Sequence, residues 1–267
     1  MFNVQFSKFN MKKNFFSSLL VLVTLALCSC STNGLKVTYA TDADIVSQSR
    51  NLSGFDRVEI NGSPTVYYAQ TDSFSVRVRG PKDVVDNIIT EVDGSTLFVR
   101  NKGKIGVFNV TMGGDNGLAV YISSPDLIGV TLNGSGDFIS ERRVDTDVMN
   151  IRLKGSGDIR FSDILCDRCD AELIGSGDLD VKHLDTRETS ATLVGSGDIE
   201  IRQMNAAQTQ LSLRGSGDID VDFVSGCGSV NAELQGSGDI TLKGQVKHLD
   251  MHKRGSGDIN ASSLRVN

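Results

Sequence analysis

The sequence has 267 residues, a formal net charge of −6 at pH 7, 28 glycines, three prolines and no tryptophan. The acidic balance argues against nucleic acid or anionic lipid headgroups as the main partner, because both repel a negatively charged surface. The glycine content suits many tight turns between short strands and argues against a mainly helical protein.

The first 29 residues have the pattern of a signal peptide. Three lysines precede an uncharged run from Phe15 to Leu27, which is shorter than the ~20 residues that a membrane-spanning helix needs. The run ends in Leu27-Cys28-Ser29-Cys30, which resembles a bacterial lipobox. Cys30 fits the lipidated position better than Cys28, because a small residue precedes Cys30. We therefore expect a lipoprotein signal peptide over residues 1–29, and fatty acyl chains such as palmitate on Cys30.

Cleavage before Cys30 changes the net charge from −6 to −9, because the removed segment holds three lysines and no acid. Several acyl chains anchor a protein stably without any spanning segment. We expect the membrane to be a partner through this lipid, and residues 30–48 to form a polar tether. The predicted location is the cell envelope, at the periplasmic or surface face of the outer membrane. Residues 49–267 are enough for one continuous domain.

The N-terminal portion, residues 49–130, is predicted to be β structure that caps a solenoid. Val84, Val85, Ile88, Ile89 and Val92 recur at helical spacing, so one short helix is expected after a proline. The segment Asn-Gly-Ser at residues 61–63 resembles a diverged form of the repeat described next. Strand-like runs cover residues 57–69, 73–80, 95–101 and 118–125.

The tetrapeptide Gly-Ser-Gly-Asp occurs seven times in residues 131–267, at intervals of 19 to 21 residues. Such a period is typical of a repeat architecture in which each unit stacks on the next. The repeat corners are defined by the first glycine and the aspartate of each tetrapeptide: Gly134 and Asp137, Gly155 and Asp158, Gly175 and Asp178, Gly195 and Asp198, Gly215 and Asp218, Gly236 and Asp239, and Gly255 and Asp258.

Apolar and polar residues alternate around each tetrapeptide, which is the pattern of strands with one buried face. A leucine stands two residues before the first glycine in six repeats, and Lys253 takes its place in the last, which suggests a cap. A large apolar residue follows every aspartate. Further inward positions are predicted nine residues after the first glycine, at Ile164, Leu184, Met204, Val224 and Leu264.

Two architectures satisfy this pattern. In a parallel β-helix each repeat is one coil, and equivalent residues stack ~4.8 Å apart. In an antiparallel meander or propeller-like array each tetrapeptide is a hairpin tip. Stacking requires the same corner in every coil, whereas separate hairpins do not. We therefore expect an all-β fold, a right-handed parallel β-helix or solenoid with coils of ~20 residues, in which residues 131–267 form the repeat solenoid.

Three segments, residues 53–70, 76–101 and 118–138, resemble the head GIN-domain family of adhesins, which is common in lipoproteins of Bacteroides-like bacteria. The resemblance covers about residues 50 to 267. It implies a parallel β-helix-like fold and a cell-envelope location. It offers no catalytic residues to carry over to this sequence.

The seven aspartates would lie along one edge at coil spacing, where neighbouring carboxylates repel unless backbone N–H groups, water or cations compensate. A calcium-binding edge is one interpretation, although each calcium needs about 6 to 8 oxygens. The other is that each aspartate caps its own corner. We expect the second, and therefore no metal site and no cofactor.

Three cysteines remain beyond the lipobox. Cys166 and Cys169 are expected to be a local disulfide or free thiols, because one Cys-x-x-Cys motif supplies too few ligands for a metal site. Cys227 should lie three coils from Cys166, ~14 Å away, which is too far for a disulfide between the two.

The function that these features predict is a noncatalytic, adhesin-like binding or structural module of the cell envelope. Its repeated β face would bind a glycan, an envelope or host protein, or act as a spacer, and not nucleic acid. Repeated side chains suit weak multivalent contacts. The alternative is a carbohydrate-active β-helix enzyme that acts on envelope or host polysaccharide, which would need unlike catalytic groups clustered on one face.

Overall fold

The structure, a computed structural model, describes residues 45–102 and 118–267. The predicted signal peptide, Cys30 and residues 30–44 of the predicted tether lie outside the described residues. No helix within the described ranges is long and apolar enough to cross a membrane.

The described residues form 21 strands and one short helix. In chain order these are β1 (Ile45–Arg50), β2 (Arg57–Gly62), β3 (Thr65–Gln70), β4 (Ser75–Pro81), α1 (Lys82–Val85), β5 (Ile88–Asp93), β6 (Thr96–Asn101), β7 (Ala119–Ser124), β8 (Gly129–Gly134), β9 (Asp137–Asp145), β10 (Val148–Gly155), β11 (Asp158–Leu165), β12 (Arg168–Gly175), β13 (Leu179–Asp185), β14 (Glu188–Gly195), β15 (Ile199–Met204), β16 (Gln208–Gly215), β17 (Ile219–Ser225), β18 (Ser229–Gly236), β19 (Ile240–Val246), β20 (His248–Gly255) and β21 (Ile259–Val266).

Each repeat forms one coil, in which a strand runs up to the tetrapeptide and a second strand leaves it. Neighbouring coils pair in parallel, with Leu153 beside Leu173 and Gly155 beside Gly175. The same in-register pairing continues to the last coil, where Gly236 lies beside Gly255. The predicted solenoid is therefore confirmed, and the antiparallel array is excluded for the repeats.

The coils build two facing sheets. The strands that precede each corner form a ten-stranded sheet, here called sheet B, and the strands that follow it form an eleven-stranded sheet, sheet A. Sheet A has the order β1-β4-β7-β3-β9-β11-β13-β15-β17-β19-β21, and sheet B the order β20-β18-β16-β14-β12-β10-β8-β2-β6-β5.

The core lies between the two sheets and consists of stacked columns of like residues. The leucine column before the corner is buried from Leu132 to Leu234, and the column after each aspartate is buried from Phe138 to Ile240. In the last coil Lys253 lies beside Leu234, as the sequence predicts. The alternation of buried and exposed residues therefore follows the strand period.

The inward column predicted nine residues after the first glycine is correct in only some of the coils. Ile164 and Leu184 are fully buried, but Val224 is 39% exposed and Met204 is only partly buried. Gln203 and Phe223 take the inward positions instead. The cause is a register shift, because Gln203 and not Met204 pairs with Leu184.

The N-terminal portion begins with a diverged coil. Gly62 pairs with Gly134, and Thr65 pairs with Asp137, so Gly62-Ser63-Pro64-Thr65 takes the place of the tetrapeptide. The strand order puts β6 and β7 beyond this coil, on the side away from the repeats. Antiparallel strands β5, β4 and β1 then end the two sheets.

Two predicted boundaries in this portion differ from the structure. The expected helix begins after Pro81, but it ends at Val85, and Ile88 already starts β5. Pairing of β5 with β6 holds the later residues in a strand. The strand β1 begins at Ile45, within the segment predicted to be tether, because residues 45–50 pair with β4.

Candidate functional site

The two glycines of each corner are required by the coil beneath. A Cβ atom on Gly195 would lie against the carbonyl oxygen of Gly175, and one on Gly197 against that of Gly177, both well inside van der Waals distance. The same clash with the preceding coil recurs at both glycines of the other tetrapeptides. The first glycines also have φ between +135° and +147°, a region that side chains with a Cβ rarely adopt.

The corner carbonyls and amides connect successive coils. The carbonyl oxygen of Gly195 accepts hydrogen bonds from the backbone N–H groups of Ser216 (2.9 Å) and Gly217 (3.2 Å) in the next coil. Gly215 does the same for Ser237 and Gly238. The backbone of the corner is therefore satisfied by the neighbouring coil, and an isolated turn would leave these groups unpaired.

The aspartates form a hydrogen-bonded ladder. From Asp158 to Asp239, each carboxylate Oδ1 accepts a hydrogen bond from the backbone N–H of the next aspartate in the stack, at 2.7 to 3.2 Å. The prediction that each aspartate caps its own corner is therefore wrong, because the carboxylate accepts a hydrogen bond from the next coil instead. In-register stacking places the backbone N–H of the next aspartate within hydrogen-bond distance of each carboxylate.

The predicted corner residues thus come together in one straight edge, from Gly134 and Asp137 to Gly255 and Asp258. At its ends the pattern changes: the hydroxyl of Thr65 donates to Asp137 (3.4 Å), and the ammonium of Lys253 contacts Asp258 (2.7 Å). Among residues 45–102 and 118–267, no group of three or more His, Cys, Asp or Glu side chains is placed to hold a metal ion.

The outer face of sheet B carries a feature that was not singled out in the sequence. One row runs along the solenoid through Asn150, Asp170, Ser190, Gln210 and Asn231, which are paired in register on successive strands. Two shallow troughs of about 480 and 530 Å³ lie over this face, and both include Asp170 and Ser190. The signal in the sequence is the polar residue five positions before the first glycine in each of the last six repeats.

Two ion pairs lie on this face beside neutral polar residues. Arg152 contacts Glu172 at 2.7 Å, and Arg168 contacts Asp170 at 2.8 Å. By contrast, the hydroxyl of Ser190 and the amides of Gln210 and Asn231 make no side-chain hydrogen bond to other described residues, although Oδ1 of Asn231 is itself buried. The centre of the face therefore offers free donors and acceptors.

The outer face of sheet A differs along its length. Near the N-terminal coils the rings of Tyr67 and Tyr121 stack with centroids 5.4 Å apart, and the Arg77 guanidinium lies 5.0 Å from the Tyr121 centroid. Further along, Asp180 lies on the same face, and burial raises the pKa of its carboxyl group. Each of the two stacked rings therefore covers one face of the other.

The cysteines are buried thiols in the structure. Cys166 donates to the hydroxyl of Thr186 at 3.6 Å. A hydrogen bond between the Cys166 and Cys169 thiols, with burial, raises the pKa of Cys169, and the same hydrogen bond lowers the pKa of Cys166. The coils that carry Thr186 and Ala206 lie between Cys166 and Cys227, so a disulfide between those two would not fit this register.

Comparison with known proteins agrees with this geometry. A family model described as "Putative auto-transporter adhesin, head GIN domain" matches residues 54–226 and 195–267. No curated protein matches the chain.

Solved structures share the fold at low sequence identity. A putative adhesin from Bacteroides fragilis has a TM-score of 0.71 and 23% identity, covering 84% of this chain and 99% of the other. A putative lipid binding protein from Parabacteroides distasonis has a TM-score of 0.64 and 22% identity, with the same coverage. A putative adhesin from Parabacteroides merdae has a TM-score of 0.62 and 16% identity, covering 83% and 98%.

Proposed function

This chain belongs to the head GIN-domain family of putative auto-transporter adhesins, and we propose that it is a noncatalytic binding module of the bacterial cell envelope. Sheet B would be its binding face, and the ligand an extended glycan that lies along the solenoid. The observation that carries the proposal is the in-register row of Ser190, Gln210 and Asn231, in which the Ser190 hydroxyl and the Gln210 amide make no hydrogen bond to other described residues.

The geometry of the row suits a polymer. Like positions on neighbouring parallel strands lie about 4.8 Å apart. An extended chain of hydroxyl-bearing units that crosses the strands can therefore contact one polar side chain after another. Each contact is weak, since a hydrogen bond that replaces water contributes about 1 kcal/mol. A row of such contacts binds through multivalency and needs no deep pocket, which agrees with the shallow troughs on this face.

The binding face can be tested with two matched triple variants. Replacing Ser190, Gln210 and Asn231 by alanine removes the free polar groups of sheet B. The control replaces residues on three successive strands of sheet A's outer face, namely Glu200, Asp220 and Thr241. Both variants are compared with the unchanged protein on arrays of envelope and host glycans and in pull-downs of envelope and host proteins.

We expect the sheet B variant to lose the retained glycan and the sheet A control to keep it, with melting temperatures close to the unchanged protein for both. Equal retention by both variants would contradict the assignment of sheet B. If a protein and no glycan is retained, the ligand class is wrong and the face can still be right. Retention of nothing would leave a spacer role.

A lipid anchor at Cys30 is part of the proposal and is supported by the lipobox-like Leu27-Cys28-Ser29-Cys30. The lipid would hold the module at the outer membrane. Labelling with radioactive palmitate in the producing cell tests it, because Cys30→Ser should abolish the label and the neighbouring Cys28→Ser should not. Loss of the label with C28S alone would move the anchor to that residue.

The rival function is a carbohydrate-active enzyme. Asp170 and Glu172 on the outer face of sheet B each form an ion pair with an arginine. A glycosidase would need two carboxyl groups that flank the scissile bond, one of them free to donate a proton. Polysaccharide turnover abolished by Asp170→Asn or Glu172→Gln would contradict the noncatalytic proposal.

A further inference from the structure

The last coil leaves one end of the solenoid incompletely covered. Within the described residues β20 and β21 are the final strands of sheets B and A, and each pairs on one side only. Their outer edges therefore present rows of backbone N–H and C=O groups, which are templates for pairing with another strand.

Apolar side chains are exposed at the same end. Met251 is 45% exposed and Val266 is 53% exposed, the two largest values among the big hydrophobic side chains of the described residues. Their neighbours one coil earlier, Ala232 and Val246, are buried. One further layer of strands would bury Met251 and Val266 in the same way.

We propose that this layer is the last coil of a second copy of the chain, so that two solenoids meet tail to tail around a twofold axis. In an antiparallel pair of two β20 strands centred on Met251, the two Met251 side chains face each other and Leu249 faces Lys253. Residues 249, 251 and 253 continue the core columns. In this register each of them lies opposite one of these same three positions in the second copy.

The second strand obeys the same symmetry. In an antiparallel pair of two β21 strands centred between Ser262 and Ser263, Ile259 faces Val266 and Ala261 faces Leu264. These four residues occupy or adjoin the core columns of the preceding coils. Inward positions therefore meet inward positions in both sheets.

One axis can serve both strands. Met251 lies four residues before Gly255, and the Ser262–Ser263 midpoint lies between four and five residues after Asp258. The two centres are therefore at about the same distance from the corner, on strands that face each other across the core. A single twofold axis that passes through both centres would therefore pair both strands of the last coil with those of the second copy.

Polar side chains on the outer face lie opposite possible hydrogen-bond partners in this register. Asp250 and His252, already 3.4 Å apart within one chain, would each lie opposite the other residue of the second copy. Lys253 occupies the register position of the leucine column, and its ammonium group contacts Asp258 at 2.7 Å. In the proposed pair its methylene stem would cover Leu249 of the second copy. An inward lysine discourages pairing with arbitrary strands, which restricts this end to a matched partner.

A cysteine at the symmetry centre tests the register directly. In the purified, detergent-solubilised full chain, Met251→Cys should give a disulfide between two copies on mild oxidation, because directly opposed residues of antiparallel strands have Cα atoms about 4.5 to 5.5 Å apart. The matched control is Glu233→Cys, an exposed residue of β18 one coil earlier. It should give no cross-linked dimer, and peptide mass spectrometry identifies the joined positions.

The oligomeric state of the unchanged protein gives an independent readout. Sedimentation velocity should show a dimer, and Met251→Arg, which places two cations at the axis, should raise the dissociation constant at least tenfold. Met251→Leu should keep the dimer and shows that the end coil tolerates substitution. A monomer at ~100 μM, a ladder of larger species from head-to-tail stacking, or equal cross-linking of M251C and E233C would each overturn the proposal.

Discussion

Gly197 lies at the corner between β14 and β15, where its Cα approaches the carbonyl oxygen of Gly177 in the coil beneath. Its residue type is set by this contact with the neighbouring coil, since its φ lies outside the left-handed region. Repetition of the tetrapeptide follows, because every coil presents the same carbonyl to the next. The two glycines of the pattern are thus a steric consequence of stacking.

Replacing Gly197 by alanine should destabilise the protein by roughly 3 kcal/mol or more, because backbone must move to admit the methyl group. Denaturant unfolding measures the change in free energy. The matched control is Gly94→Ala, where φ is +58° but no atom lies within 4 Å of the added Cβ; strain alone should cost about 1 kcal/mol. A cost for G197A no greater than for G94A would contradict the contact with Gly177.

The aspartate ladder makes a second prediction at this scale. Oδ1 of Asp198 accepts the backbone N–H of Asp218 at 3.0 Å. Asp198→Ala removes that acceptor and should lower the free energy of unfolding by about 1 kcal/mol. Asp198→Asn keeps an acceptor oxygen and removes a negative charge from the column, so we expect a smaller loss. Equal losses for both variants would show that the ladder does not depend on this hydrogen bond.

The elements differ in how well their residues predict them. The leucine columns and the strands beside each corner could be predicted, because one residue type recurs at one position in nearly every coil. The inward residue near the end of each sheet A strand could not be predicted in this way. The coils that start at Gly175 and Gly195 have the same length, yet the first has Leu184 inward and the second has Gln203 inward.

The difference lies in where each coil places its extra residue. After Val181 both Lys182 and His183 are exposed before the chain turns inward. In the next coil the alternation continues to Gln203, and the extra residue is placed near Asn205, which has φ of +63°. Asparagine tolerates this conformation, so Asn205 was the available signal, although nothing in the spacing of apolar residues shows it.

The sheet B row was missed for a related reason. Its members share polarity but not identity, and a search for repeated residues gives them no weight. The short helix was overestimated because Val85 and Ile88 fit a helical period, whereas pairing with β6 decides the state of residues 88–93. For this helix, pairing with the adjacent strand overrides the helical spacing of the apolar residues.

The aromatic column at the start of the repeats makes a prediction about pH. Tyr68 in β3 packs near Phe138, with ring centroids 6.0 Å apart, and its hydroxyl lies 2.9 Å from that of Ser124. Burial raises the pKa of Tyr68 to about 12. An unfolded tyrosine loses its proton near pH 10, so between about pH 10 and 12 the unfolded state binds fewer protons and stability falls as pH rises.

Urea unfolding at pH 9 and pH 11 checks this. The unchanged protein should lose more free energy of unfolding between the two pH values than Tyr68→Phe, which cannot ionise. Tyr67→Phe, on the exposed side of the same strand, is the control and should behave like the unchanged protein. The same pH response in Y68F and the unchanged protein would contradict the assigned burial of the Tyr68 hydroxyl.

At the scale of the whole molecule, the chain does not add coils in simple order. It forms the Gly62 coil, passes through β4 to β7 on the far side, and returns so that β8 pairs with β2. The interval from Gly62 to Gly134 is therefore much longer than one repeat, and periodicity alone could not predict that the two are neighbours. The N-terminal strands close one end of the stack, and the repeats extend it in the other direction.

The central claim, that equivalent corners of successive coils lie directly on one another, is tested by cross-linking the exposed serines. Ser196 and Ser216 belong to adjacent coils, whose like positions are about 4.8 Å apart, within the range that a disulfide bridges. Ser176 and Ser216 are two coils apart, about 10 Å by the same spacing. The double variant S196C/S216C should form an intramolecular disulfide under mild oxidation, and S176C/S216C should not, as read by peptide mass spectrometry. Failure of the adjacent pair to cross-link, or efficient cross-linking of the separated pair, would contradict the stacked solenoid.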